Sequence, residues 1–211
     1  NALNEVLPLA KHLGSEQPVW FLESGYHALK ENQEDKIKAI ASHYVNELLS
    51  LLPSADYILG GYSFGSLVIY EIAKQLEKKG KSIPILLILD YYPLLPFWDF
   101  VLEFPHTLKL RLRQLFSKSH HEKRAQLTTL VSDKPKPYII KGYSGKIQLI
   151  LASKFIYRWS RLKLLVSLIT VWNQHLLEQV YWIPGNHHDM IQEPYVELLA
   201  DKLTILFKAR N

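Results

Sequence analysis

Gly61-Tyr62-Ser63-Phe64-Gly65 is a G-x-S-x-G pentapeptide. It follows the apolar run Tyr57-Ile58-Leu59 directly and precedes an amphipathic run directly. Strand, sharp turn and helix form the setting of a nucleophile elbow, in which a serine hydroxyl is presented at a sheet edge. Such a turn strains the Ser63 backbone and pushes its hydroxyl outward. Side chains at positions 61 and 65 are expected to collide with the neighbouring strand and helix. The start of the helix adds positive dipole where an oxyanion would form, with the Phe64 N–H as a donor. The plainer alternative is a serine that caps a helix after a Gly-rich turn.

A serine hydroxyl needs a base near pH 7. Of nine His, those in Gly185-Asn186-His187-His188-Asp189-Met190 lie just after the last expected strand, at the same sheet edge as Ser63. The base is therefore His187 or His188. The base in turn needs an orienting carboxylate. Asp90 ends the most apolar strand, Ile85-Leu86-Leu87-Ile88-Leu89, where an ionisable group is costly unless paired. Asp99, Glu103 and Asp133 fall in an insertion, and Asp189 is too close to His187 in sequence to reach it from another strand. The order serine, acid, histidine is consistent with the elbow.

The elements that must position these groups alternate. A helix is expected over Leu3 to Leu13, a strand at Val19 to Leu22, and a helix over Ile37 to Leu52. That helix carries an apolar stripe of Ile37, Ile40, Ala41, Tyr44, Val45, Leu48, Leu51 and Leu52 towards the sheet, and Pro53 stops it. Strands at Tyr57 to Gly61, Ile83 to Leu89, Lys146 to Ala152 and Gln179 to Ile183 are joined by a helix from Phe64 to Lys79. A last helix opens at Pro194. This is the pattern of an α/β domain with a parallel sheet. Tyr91 to Lys141, about fifty residues with five prolines, interrupts it. A helical insertion, placed as a lid, fits better than a structureless loop of that length.

Composition narrows the classes. The chain has 211 residues, 48% of them hydrophobic, enough for one sizeable core. There is no Cys, which excludes thiolate, disulfide and iron–sulfur chemistry. A net charge of +5 is too small and dispersed to argue for nucleic acid. The uncharged run Leu164 to Leu177 has 14 residues, too short to span a membrane, and no uncharged run is longer.

With these motifs in place, the sequence resembles the thioesterase domains of non-ribosomal peptide synthetases and polyketide synthases. The resemblance rests on Leu7-Pro8-Leu9-Ala10-Lys11-His12-Leu13, on Tyr57 to Gly65, on Ile88-Leu89-Asp90, and on Ile183-Pro184-Gly185-Asn186-His187 with Met190. The family's G-x-H-x-x-M pattern falls on Gly185, His187 and Met190, which selects His187 over His188 as the base. Ser66 stands where the family commonly has glycine. The acid at Asp90, after the strand that follows the elbow helix, is similar to its place in chain-terminating members. Stand-alone editing members usually carry it after the next strand, where this chain has Ser153-Lys154.

The resemblance implies an α/β-hydrolase fold: a mostly parallel sheet flanked by helices, one domain over 1–211, with a lid at 91–141. It implies catalytic Ser63, Asp90 and His187, and an acyl or peptidyl thioester delivered on the phosphopantetheine arm of a carrier protein. No bound cofactor or metal is expected. The domain would be a monomeric, cytoplasmic part of a larger synthase. Tyr62, Phe97, Trp98 and Leu102 are candidate substrate contacts, and the Lys109, Arg111, Arg113 stripe a candidate docking surface for an acidic carrier. Other readings are an editing thioesterase, a generic serine esterase, or a non-catalytic carrier-docking module. The segment Phe155 to Leu177 is longer and more apolar than the family usually shows, and would fit an extra helix on the sheet edge or a contact with another domain. The first helix begins almost at Asn1, so the strand and loop that give the second oxyanion donor are expected upstream of it.

Overall fold

The computed structural model describes residues 2–22, 33–54, 56–93, 138–154, 160–172 and 176–209. Four strands form one sheet: β1 (Ile58–Tyr62), β2 (Ile85–Leu89), β3 (Lys146–Ala152) and β4 (Leu176–Ile183). They lie side by side in chain order, and every neighbouring pair is parallel. All carboxyl ends therefore point to one edge. β2 is buried at all five positions, as a strand covered on both faces must be.

Helices cover both faces. α1 (Ala2–Leu13), α2 (Gln33–Leu51), α3 (Gly65–Lys78), α4 (Ser160–Thr170) and α5 (Tyr195–Lys208) follow the periodicity of their sequences. The pleat sends Leu86 and Ile88 of β2 to one side and Ile85, Leu87 and Leu89 to the other. On the first side they join Ile37, Ala41, Leu67, Ile72, Leu149, Leu164 and Trp172. On the second they join Ile150, Ile183, Met190, Leu199 and Leu203, with Leu9 and Leu13 of α1 packed against them. No described helix is long and apolar enough to cross a membrane.

Three expectations change. Val19 to Leu22 is not a strand; Val19 and Trp20 are exposed and the segment pairs with nothing among the described residues. Strand-forming residues become a strand only against a partner, and β1 ends the described sheet on that side. The stripe of α2 shares the core with Leu59 of β1 and Leu86 and Ile88 of β2 and also runs along α3, but Leu51, expected in that stripe, points to solvent. The apolar segment after β3 supplies α4, the crossover helix from β3 to β4, rather than an added element at the sheet edge. The insertion falls largely outside the described residues, apart from its two ends.

The returning end is seated on α3. Tyr138, Ile140 and Tyr143 are buried. The Tyr138 hydroxyl donates to Glu71 (2.5 Å), and Lys74 pairs with the same carboxylate (2.5 Å). The Tyr143 N–H donates to the Tyr70 hydroxyl (3.2 Å), and the Ser144 hydroxyl to Glu77 (2.6 Å). Burial alone would raise the Glu71 carboxyl; hydrogen bonds from Lys74, Tyr138 and Gln75 outweigh it and hold the group below its ordinary value.

Candidate active site

Ser63 is the first residue beyond β1, and its N–H continues the ladder to Leu89 O (2.9 Å). Its backbone turns left-handed, φ 52°, a conformation that costs a non-glycine residue roughly 1–2 kcal/mol. α3 starts two residues later, with Phe64 at its N-cap and no side-chain cap. The turn closes tightly over Gly61. A Cβ there would lie 2.5 Å from Gly65 O and 2.6 Å from Ile69, so only glycine fits. A Cβ at Gly65 would meet nothing within 4 Å, against the expectation of a second collision. The glycine requirement comes from one backbone approach, and Gly65 contributes its carbonyl to it. Beneath the turn, the buried Ser66 hydroxyl donates to Gly61 O (2.7 Å).

Asp90 stands one strand over, in the same position relative to β2. Its N–H donates to Ile150 O (2.7 Å), and its backbone is also left-handed, φ 47°. The buried carboxylate divides its oxygens. Oδ1 accepts the Ala152 N–H (2.9 Å), and Oδ2 meets His187 Nδ1 (2.6 Å).

His187 is carried past β4 by a turn that its own side chains fix. Gly185 adopts φ 93°, and a Cβ there would press on Asp189 and Tyr195. The Asn186 side chain accepts the N–H groups of His188 (2.9 Å) and Asp189 (3.2 Å), while Asp189 accepts the Asn186 N–H (3.0 Å). Met190 is fully buried below. His187 Nε2 lies 3.0 Å from Ser63 Oγ. A carboxylate only accepts, so Asp90 places the imidazole proton on Nδ1 and leaves Nε2 as the acceptor for the Ser63 hydroxyl. The imidazole of His188 lies edge-on to that of His187, with centroids 5.3 Å apart.

Ser63, His187 and Asp90 thus form one hydrogen-bonded row contributed by three strand ends. The family model of the thioesterase domain matches residues 7–204. The chain belongs to that family. It is thereby a hydrolase of the serine α/β-hydrolase type. Among curated relatives of this thioesterase domain, a non-reducing polyketide synthase of Pseudevernia furfuracea is 32% identical over 78 residues, 37% of this chain and 4% of the relative. Chondramide synthase of Chondromyces crocatus is 29% identical over 86 residues, 41% of this chain and 2% of the relative. The chain therefore spans only a few per cent of the length of these relatives. In a solved four-domain nonribosomal peptide synthetase bound to AMP and glycine, the match covers 96% of this chain and 18% of that one (TM-score 0.65, 17% identity). The thioesterase domain of NocB from the nocardicin cluster matches over 88% of this chain and 77% of its own (TM-score 0.53, 19% identity). At such identities the likeness is one of fold.

Of the expected substrate contacts, Tyr62 is described and lies against His187, its hydroxyl donating to His187 O (2.6 Å). Phe97, Trp98, Leu102 and the Lys109, Arg111, Arg113 stripe lie outside the described residues. The supporting roles of Ser66, Asn186, Asp189 and the Ala152 N–H are not among the sequence expectations. Asn186 left a signal, since an Asn two residues before a turn N–H is the pattern of an Asx turn. The Ala152 contact left none, because it is main chain and 62 residues from Asp90.

Proposed function

We propose that this chain is the chain-releasing thioesterase domain of a non-ribosomal peptide or polyketide synthase. Its substrate is an acyl or peptidyl thioester on the phosphopantetheine arm of a carrier protein. The observation that carries this reading is the row Ser63 Oγ, His187 Nε2, His187 Nδ1 and Asp90 Oδ2, at 3.0 and 2.6 Å. It is supported by family membership and by relatives that are synthases.

Ser63 Oγ attacks the thioester carbonyl as His187 Nε2 takes its proton. The buried Asp90 carboxylate stabilises the imidazolium so formed. The oxyanion develops at the start of α3, where the Phe64 N–H and the helix dipole favour negative charge. Collapse breaks the C–S bond, and the imidazolium protonates the leaving pantetheine thiolate. An acyl-serine remains. Water, or a nucleophile within the chain, then gives its proton to His187 as it attacks, and Ser63 departs with that proton. The acid at the end of β2, with Ser153 and Lys154 at the end of β3, favours release over editing.

A fluorophosphonate probe and an acyl-loaded carrier protein test the reading together. Wild type is expected to label at Ser63 and to release the acyl chain, while Ser63→Ala does neither. Asp90→Asn should lower kcat by about 10⁴-fold, and His187→Ala far more than His188→Ala. Turnover of free esters without turnover of carrier thioesters would point to a generic esterase. Equal losses at His187 and His188 would overturn the assignment of the base.

A further inference from the structure

The row leaves one aromatic group against the base without a chemical task. Tyr62 closes β1 and immediately precedes Ser63. Its ring stacks on the His187 imidazole, with centroids 4.8 Å apart and planes 21° from parallel. Its hydroxyl donates to the main-chain oxygen of the same residue (2.6 Å). Burial, and then the Asp90 and Glu5 carboxylates, hold the phenol above its ordinary range, so it remains a donor through the working pH range.

We infer that Tyr62 is a positioning residue for the base, fixing the His187 backbone through its hydroxyl and stabilising the imidazolium through its ring face. The inference rests on the Ser63–His187–Asp90 reading. An imidazole has two ring edges and two faces. Asp90 fixes one edge and Ser63 marks the other, but edge contacts alone leave the ring free to rock about that line. A ring stacked on one face stops the rocking. The same face is electron-rich, so it attracts the imidazole more once protonated. That preference belongs to the step in which Ser63 gives up its proton, when it lowers a barrier rather than merely tightening binding. The position in sequence suits the task. The residue that fixes the base is bonded to the nucleophile, so a shift of the elbow moves both together.

Other charges around His187 are Asp90 at the end of β2, His188 edge-on in the same turn, Asp189 tied to the Asn186 N–H, and Glu5 of α1 near the Tyr62 hydroxyl. None of them changes on substitution of Tyr62, so a change in the titration of the base reports on the ring.

The test measures kcat and KM against pH in the full-length protein, with octanoyl-N-acetylcysteamine as the thioester. Tyr62→Phe keeps the ring and loses the hydroxyl bond. Its kcat should fall about 2–5-fold, with KM and the acid limb of kcat/KM unmoved. Tyr62→Leu keeps bulk and loses the ring; kcat should fall about tenfold and the acid limb should move about half a pH lower. Phenylalanines of increasing fluorination at position 62 keep size and shape while weakening the face, so the result does not depend on the Leu variant folding. The limb should then fall stepwise at constant KM. An unmoved limb across that series, or a change confined to KM, would overturn the inference and make Tyr62 a substrate contact. Ser63→Ala runs beside it. If that variant still turns over, the catalytic reading fails and the inference with it; if it is dead and the series is flat, only the inference fails.

Discussion

At Ser63 and at Asp90 the chain leaves adjacent parallel strands through a non-glycine residue at positive φ, 52° and 47°, the only two among the described residues. In both, the main-chain N–H still reaches the next strand, Leu89 O in one case and Ile150 O in the other. The supports then diverge. Ser63 is held by scaffold: Gly61 admits the carbonyl of Gly65, Ser66 bonds back to Gly61, and α3 begins at once. Asp90 is held by its own carboxylate, one oxygen on Ala152 N–H and the other on His187. The contrast follows from what each group must do. A nucleophile has to keep its hydroxyl for the base, so others bear the strain. An orienting acid has oxygens enough to hold its turn and its partner.

Substitutions at the two turns separate these supports. Gly61→Ala should destabilise most, by about 1–3 kcal/mol, because its Cβ meets backbone that cannot yield. Gly65→Ala should lie within about 1 kcal/mol of wild type, since its Cβ meets open space. Thermal melts that rank the two equally would remove the scaffold side of the comparison.

Glycine at the strained positions themselves separates the two turns: a smaller effect of opposite sign is expected at Ser63 only. Ser63→Gly relieves the left-handed backbone and should stabilise by up to about 1 kcal/mol. Asp90→Gly relieves the same strain but strips the buried Ala152 N–H of its acceptor, which costs about 1–3 kcal/mol. It should show no gain. Denaturant midpoints that rise alike for both would mean that the carboxylate does not hold its turn.

Smallest is a control away from both turns, on the side of α3 that meets Tyr138. Glu71 is held below its ordinary value of 4.5, so its contribution is complete above that pH and is lost as pH falls through the lower, folded value. Glu71→Gln should lower Tm by about 2–4 °C at pH 7, with the difference shrinking in acid and kcat unchanged. A difference that grew as pH fell would mean that Glu71 is not held below its ordinary value.

Much of this was legible in residue patterns, for physical reasons. Ile85 to Leu89 reads as a buried strand because covered strands have no polar face. Leu67, Val68, Ile72, Ala73 and Leu76 read as the inner face of α3 because helical spacing gathers them, and all are buried. A charged residue at the end of such a strand draws notice, and so Asp90 did. The failures share another cause. Val19 to Leu22 has strand-forming residues, but pairing is a property of two segments and local composition carries only one. Gly65 matches a motif position, yet whether a Cβ would fit there depends on Gly61 and the path of α3. The split of Asp90's oxygens depends on Ala152, far away in sequence and silent as a side chain.

Tyr91 follows Asp90 directly and packs, with Tyr92, against the core; at the far end Tyr138, Ile140 and Tyr143 are buried on α3. Both feet of the insertion are thus part of the folded body, and one of them adjoins the acid. Closing a chain between two fixed feet depends only weakly on its length, about 0.6 kcal/mol for each doubling when the chain is flexible. Over evolutionary time the stretch between them is free to lengthen, shorten or change its apolar content while the sheet ends below keep their spacing. Change between the feet then leaves the hydrogen-bonded row of Ser63, His187 and Asp90 beneath them in place.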